Sequence, residues 1–106
     1  MPKMIYHKLV RDKIPDIIRQ AGKTCNCSTL SEKQYLQSLD EKLNEELAEY
    51  QESKSMEELA DLLEVVIAIA KARGSSYAEV EKIRQAKAMQ RGGFDKRILL
   101  EDVTEP

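Results

Sequence analysis

Three times along the chain a serine stands three residues ahead of a Glu or Gln, at the head of an apolar run in helical spacing. The pairs are Ser31 with Gln34, Ser55 with Glu58 and Ser76 with Glu79. A serine hydroxyl so placed accepts a hydrogen bond from a backbone N–H in the first turn. The Glu or Gln side chain reaches back to the serine N–H, so each pair marks a helix start. Gly74 and the pair Gly92-Gly93 supply stop signals. The pattern predicts helices over roughly 32–53, 56–73 and 77–91. A shorter helix is signalled upstream by Ile14, Ile17, Ile18 and Ala21, which recur on one helical face. Pro15 is tolerated in its first turn, and Gly22 can close it in the left-handed conformation. Lys23 to Leu30 reads as a polar loop, and Phe94 to Val103 has no clear period and reads as irregular or short extended chain. No repeat or linker divides residues 1–106, so one all-α domain is expected, a small antiparallel helical bundle.

Composition narrows the function classes. Hydrophobic residues make up 42% and charged residues 34%, which suits a globular chain rather than a disordered one. Lys+Arg 17 against Asp+Glu 19 gives a net charge of -2, which argues against nucleic-acid binding through bulk positive charge. No apolar run approaches the ~18 residues of a membrane span, and no signal-peptide core follows the basic start. Two cysteines without other secretory signs point to a reducing, cytoplasmic setting. With no Trp and 5% aromatics, the core must be aliphatic. From Leu62 to Ala70 the run LLEVVIAIA has Glu64 as its one polar residue. A helix apolar nearly all round needs cover on most sides, so a homo-oligomer, dimer or tetramer, is expected to complete the core.

The chemistry-bearing residues are carboxylates. On the helix over 32–53, Leu36, Leu39, Leu43, Leu47 and Tyr50 define the inward stripe. Glu46 borders that stripe and Glu49 lies one step further round, whereas Glu45 projects nearly opposite it, toward water. On the next helix Glu58 and Asp61 share a flank at i and i+3. The short connection makes the two helices antiparallel neighbours, so Glu46, Glu49, Glu58 and Asp61 can converge. Four such carboxylates repel one another unless protonated or neutralised, and an oxygen-only set suits a hard ion such as Mg²⁺. Mg²⁺ commonly shares its shell with phosphates, which hints at a nucleotide or other polyphosphate substrate. The plain alternative is a solvated acidic face.

Basic groups would complement these acids. Lys87 and Arg91 fall on the same side of the last helix as Val80 and Ile83, where they can form a phosphate clamp or merely snorkel. Lys8, Arg11 and Lys13 form a second cluster, whose plain alternative is a solvated surface patch or pairing with Asp12 and Asp16, and Arg97 is a third candidate. Cys25-Asn26-Cys27 is too tightly spaced for a zinc knuckle, and the single histidine, His7, has no nucleophile partner legible in the sequence. Tyr35, Tyr50 and Tyr77 could stack on a base but more often serve a core, and Glu64 reads as the wet edge of its helix.

The pattern Glu-Glu-x-x-Glu at 45–49 followed by Glu-x-x-Asp at 58–61 resembles the signature of the all-α nucleoside triphosphate pyrophosphohydrolases, which include MazG-like enzymes, dimeric dUTPases and phosphoribosyl-ATP pyrophosphohydrolases. The strings Tyr6-His7-Lys8-Leu9-Val10-Arg11-Asp12-Lys13-Ile14-Pro15 and Arg91-Gly92-Gly93-Phe94-Asp95-Lys96-Arg97-Ile98 look like the small phosphoribosyl-ATP-pyrophosphohydrolase-like branch, and the similarity spans about Tyr6 to Val103. The resemblance implies Mg²⁺-dependent cleavage between the α and β phosphates to a nucleoside monophosphate and pyrophosphate. It implies Glu46, Glu49, Glu58 and Asp61 as metal ligands, with Glu45 in support. Glu49 is then the candidate general base, and Lys87, Arg91 or Arg97 would offset charge on the leaving pyrophosphate. Lys8, Arg11 and Lys13 would also bind phosphate. Expected roles are clearance of surplus or non-canonical nucleotides, or else phosphoribosyl-ATP hydrolysis in histidine biosynthesis. A silent helical dimerisation module is the alternative from another class.

Overall fold

The computed structural model describes residues 2–106. Four helices follow in order: α1 (Ile14–Gln20), α2 (Glu32–Ser53), α3 (Met56–Ala72) and α4 (Tyr77–Arg91). The described residues contain no strand, and the all-α expectation holds. All three serine signals cap helices, with the hydroxyls of Ser31, Ser55 and Ser76 accepting from the N–H groups of Gln34, Glu58 and Glu79. The reciprocal half closes at Ser31, whose N–H donates to the Gln34 side chain at 3.2 Å. At Ser55 the returning bond is absent because the Glu58 carboxylate sits with the acids between α2 and α3, and the Ser55 N–H donates to Ser53 Oγ instead. Two boundaries shift by one residue: α1 stops at Gln20 rather than Ala21, and α3 at Ala72, with Arg73 as its cap. Gly22 adopts φ 81°, the left-handed conformation expected of it.

The connection from α2 to α3 is two residues long. Lys54, with φ 57° and ψ 23°, turns the chain, and Ser55 opens α3. That short link folds α2 and α3 into an antiparallel hairpin, the main packing unit of the molecule. α4 packs on α3, and α1 packs on no other helix. The core is correspondingly small: Leu39 on α2 and Val65 and Ala70 on α3 are the buried apolar residues among those described. Ile17, Ala21 and Ile83, read as inward-facing, are all exposed. The molecule is elongated rather than a closed bundle, with principal extents of 69 × 31 × 23 Å. No helix among the described residues is long and apolar enough to cross a membrane.

Candidate metal centre

The hairpin brings the acids together. Glu46 leaves the inward side of α2 and is the one buried charged residue among those described, with 6% of its surface exposed. Across from it, α3 presents Glu58 and Asp61, both half-buried. One carboxylate oxygen from each of Glu46, Glu58 and Asp61 lies within 4.8 Å of the others, and Glu45, Glu46 and Glu49 form an overlapping group by the same measure. Glu46 belongs to both groups and joins the helices.

Two oxygens in this cluster have no partner. Glu46 Oε2 and Glu58 Oε2 are buried and accept no hydrogen bond. An unpartnered carboxylate oxygen out of water is costly, so each is available to a cation. Burial pushes the Glu46 carboxyl above its ordinary range, and the neighbouring Glu49 carboxylate pushes it further. Burial likewise raises Glu58, followed by repulsion from Glu49, Asp61 and Glu46. Glu45 behaves differently. Burial alone would raise it, but Lys8 and Lys42 outweigh that and hold it below the usual value.

Four cations already touch the acids or border them. Lys42 Nζ lies 3.4 Å from Glu45 and 3.5 Å from Glu46, one turn away on the same helix. Lys8 Nζ lies 3.3 Å from Glu45, and Arg11 Nη2 lies 2.7 Å from Asp61 Oδ1. Lys71 lines the same groove from the far end of α3. The chain from Lys8 to Ile14 forms one wall of this groove, and Lys42, Glu46, Asp61, Glu64 and Val65 line its helical side, enclosing about 790 Å³. Tyr35 is half-buried in the same wall.

Two expectations about direction need correction. Glu45 does not point away from the cluster. It is half-buried beside Glu46, because Lys8 and Lys42 draw it in. Lys87 and Arg91 do not face the acids of their own chain. α4 packs on α3 but not on α2, and both side chains are exposed. Neither they, Lys13 nor Arg97 makes an ion pair among the described residues. Arg91 instead borders a separate cleft of about 320 Å³ with Gly92, Gly93 and Asp95. Sequence reasoning passed over Lys42. Its signal was present as an i, i+3 and i, i+4 partner to Glu45 and Glu46. His7 is exposed, Cys25 and Cys27 are free thiols, and none of the three joins either acidic group.

The donor set is entirely carboxylate oxygen, two of those oxygens are buried without partners, and mutual repulsion is unrelieved at Glu58. Those three properties fit a hard divalent cation. Comparison with known proteins adds a single kind of likeness. The chain is 52% identical over 42 residues to an uncharacterized protein of Mycolicibacterium smegmatis, an alignment covering 40% of this chain and 43% of that protein. The chain thus spans less than half the length of that relative. No family model matches, and no solved structure matches.

Proposed function

We propose that this chain is a divalent-cation-dependent nucleotide pyrophosphohydrolase of the MazG-like all-α type, cleaving the α–β bond of a nucleoside triphosphate. The observation that carries the reading is the pair of buried, unpartnered oxygens on Glu46 and Glu58, two residues whose carboxylates converge with that of Asp61 across the hairpin. Glu46, Glu58 and Asp61 hold the cation, with Glu49 at the open edge. Mg²⁺ is the natural choice among hard ions because it shares its shell with phosphates. When bound, it supplies charge neutralisation and Lewis-acid polarisation of a phosphoryl oxygen.

The chain's own residues do the rest. Glu49 is exposed at the rim of the cluster, within reach of solvent, and takes the proton from an attacking water. Arg11 and Lys8 border the groove and are paired to single carboxylates, so their remaining donors can turn to phosphate oxygens. Lys42 stays with Glu45 and Glu46 and keeps the α2 carboxylates oriented. Tyr35 offers a ring to a base in the same groove. Lys87, Arg91 and Arg97 have no place in this scheme within one chain.

The test is pyrophosphate release from canonical, deoxy, oxidised and methylated nucleoside triphosphates and from phosphoribosyl-ATP, in millimolar Mg²⁺ and in EDTA. Mg²⁺-dependent release that disappears in Glu46→Gln and Asp61→Asn supports the reading. A preference for phosphoribosyl-ATP would move it to histidine biosynthesis. One observation favours a second reading: Lys8, Arg11 and Lys42 already neutralise part of the cluster, as they would in a non-catalytic helical module. A folded protein whose melting temperature ignores Mg²⁺, with no turnover on any substrate, would establish that second reading, since a ligand bound only by the folded state must stabilise it.

A further inference from the structure

The segment 8–13 is tied to the hairpin through the acids it faces. It carries no helix, and α1, which follows it, packs on no other helix. Among the described residues its polar ties to α2 and α3 are two ion pairs, Lys8 Nζ with Glu45 on α2 and Arg11 Nη2 with Asp61 on α3. Beside those ties the groove of about 790 Å³ separates the segment from the helices. The segment therefore lies across the hairpin as a strap, pinned once to each helix. Both pins are exposed, with the Lys8 side chain 43% and the Arg11 side chain 56% accessible, so water screens them and each releases easily.

Both pins hold carboxylates of the proposed cation site, on which this inference rests. That site is more than a group of acids, because Glu46 is 6% exposed and its Oε2 is buried without a partner. Arg11 occupies Oδ1 of Asp61, one of the carboxylates that would hold the cation. A divalent cation on Glu46, Glu58 and Asp61 would stand one carboxylate away from the guanidinium, and like charges so close repel. Cation and strap therefore compete, and by linkage each weakens the other by the same factor. A polyphosphate carried on the cation reverses the sign. It brings back more negative charge than the cation removed, and its oxygens match the guanidinium fork as a carboxylate does.

We propose that segment 8–13 is a strap that sorts bare cations from cation–polyphosphate complexes: a bare divalent cation expels Arg11 from Asp61, and a polyphosphate on that cation recaptures the strap through Arg11 and Lys8. At rest the Arg11 to Asp61 pair is an autoinhibitory contact that holds off free Mg²⁺. With the complex bound, the same side chain becomes part of the grip. Arg11 thus opposes one ligand and favours the other, whereas a merely structural ion pair would have no such change of sign.

The experiment is calorimetric titration of the full chain and of Arg11→Ala, first with Mg²⁺ alone and then, in saturating Mg²⁺, with methylenediphosphonate, an uncleavable pyrophosphate analogue. Arg11→Ala is expected to bind Mg²⁺ up to about fivefold tighter. The same variant is expected to bind the diphosphonate about tenfold weaker or worse, the loss of a charge-assisted contact. Mg²⁺ affinity equal or lower in the variant, or diphosphonate affinity that is not lowered, overturns the strap and leaves the cation site standing. A wild-type chain that takes up no more Mg²⁺ than Glu46→Gln overturns the site and the strap together. Movement is read separately. The chain has no Trp, so Val10→Trp places a single indole on the strap. Acrylamide quenching of that indole is expected to rise on adding Mg²⁺ and to fall again on adding methylenediphosphonate. Quenching that Mg²⁺ leaves unmoved or lowers refutes release of the strap.

Discussion

Replacing Glu46 by Gln should make the metal-free protein more stable while removing its response to divalent cations. Glu46 is 6% exposed, one of its oxygens is buried without a partner, and Glu49 and Glu58 lie beside it. Its one attractive neighbour, Lys42 at 3.5 Å, also has Glu45 at 3.4 Å and is not stranded by the change. An amide keeps the shape, removes the repulsion and costs less to bury than a carboxylate. Relief of a buried, poorly satisfied charge is worth about 1–3 kcal/mol. For a domain of this size each kcal/mol moves the melting temperature by about 4–8 °C. The expected rise is therefore at least ~4 °C in EDTA. The assay is thermal unfolding followed by circular dichroism, at fixed protein concentration, with EDTA and then with millimolar Mg²⁺. The wild-type protein should gain stability on adding the cation, and the variant should gain little. A variant less stable than wild type in EDTA would show that the Glu46 carboxylate is a net structural contributor. A variant that keeps the full cation-induced shift would remove Glu46 from the ligand set.

Arg11→Ala breaks an exposed pair, so stability should change by less than about 1 kcal/mol, while Mg²⁺ alone binds up to about fivefold tighter because a competing cation has left Asp61. Calorimetric titration without nucleotide reads this, and weaker cation binding would count against it. Glu46 and Glu58 hold protons more tightly folded than unfolded, so metal-free stability should fall as pH rises above the ordinary carboxyl value of 4.5 and through the raised ones. Glu45, held below that value, acts with the opposite sign and only at lower pH, so melting temperatures from about pH 5 to pH 8 isolate the first effect. Leu39→Ala removes the most buried apolar side chain and should cost about 2–4 kcal/mol in urea unfolding, where a loss under about 1 kcal/mol would deny it a core role.

Local signals were legible in the sequence and long-range ones less so. Serine caps act over three residues, so helix starts at Glu32, Met56 and Tyr77 followed directly from Ser31, Ser55 and Ser76. The convergence of Glu46 with Glu58 and Asp61 was equally readable, because a short connection leaves an antiparallel hairpin little freedom. Glu45 was misplaced for a specific reason. Rotation about α2 alone turns it outward, but a lysine one turn earlier and another from the N-terminal segment pull it toward the cluster. The Arg11 to Asp61 pair spans fifty positions of sequence, and no periodicity announces it. Periodicity places Lys87 and Arg91 on one face of α4 but does not say which helix that face meets. α4 meets α3 alone, so inward on α4 is not toward the acids of α2.

The two-residue turn at Lys54 and Ser55 also sets the order in which the molecule can be made. Every carboxylate of the cluster lies between Glu45 and Asp61, and their meeting requires only that α2 and α3 fold back on each other. Such a local contact closes quickly and needs no later part of the chain. During synthesis the acidic site can therefore assemble before α4 and the chain beyond it have emerged. If the proposed cation binds there, it would hold the hairpin shut and couple ion binding to folding of the chain.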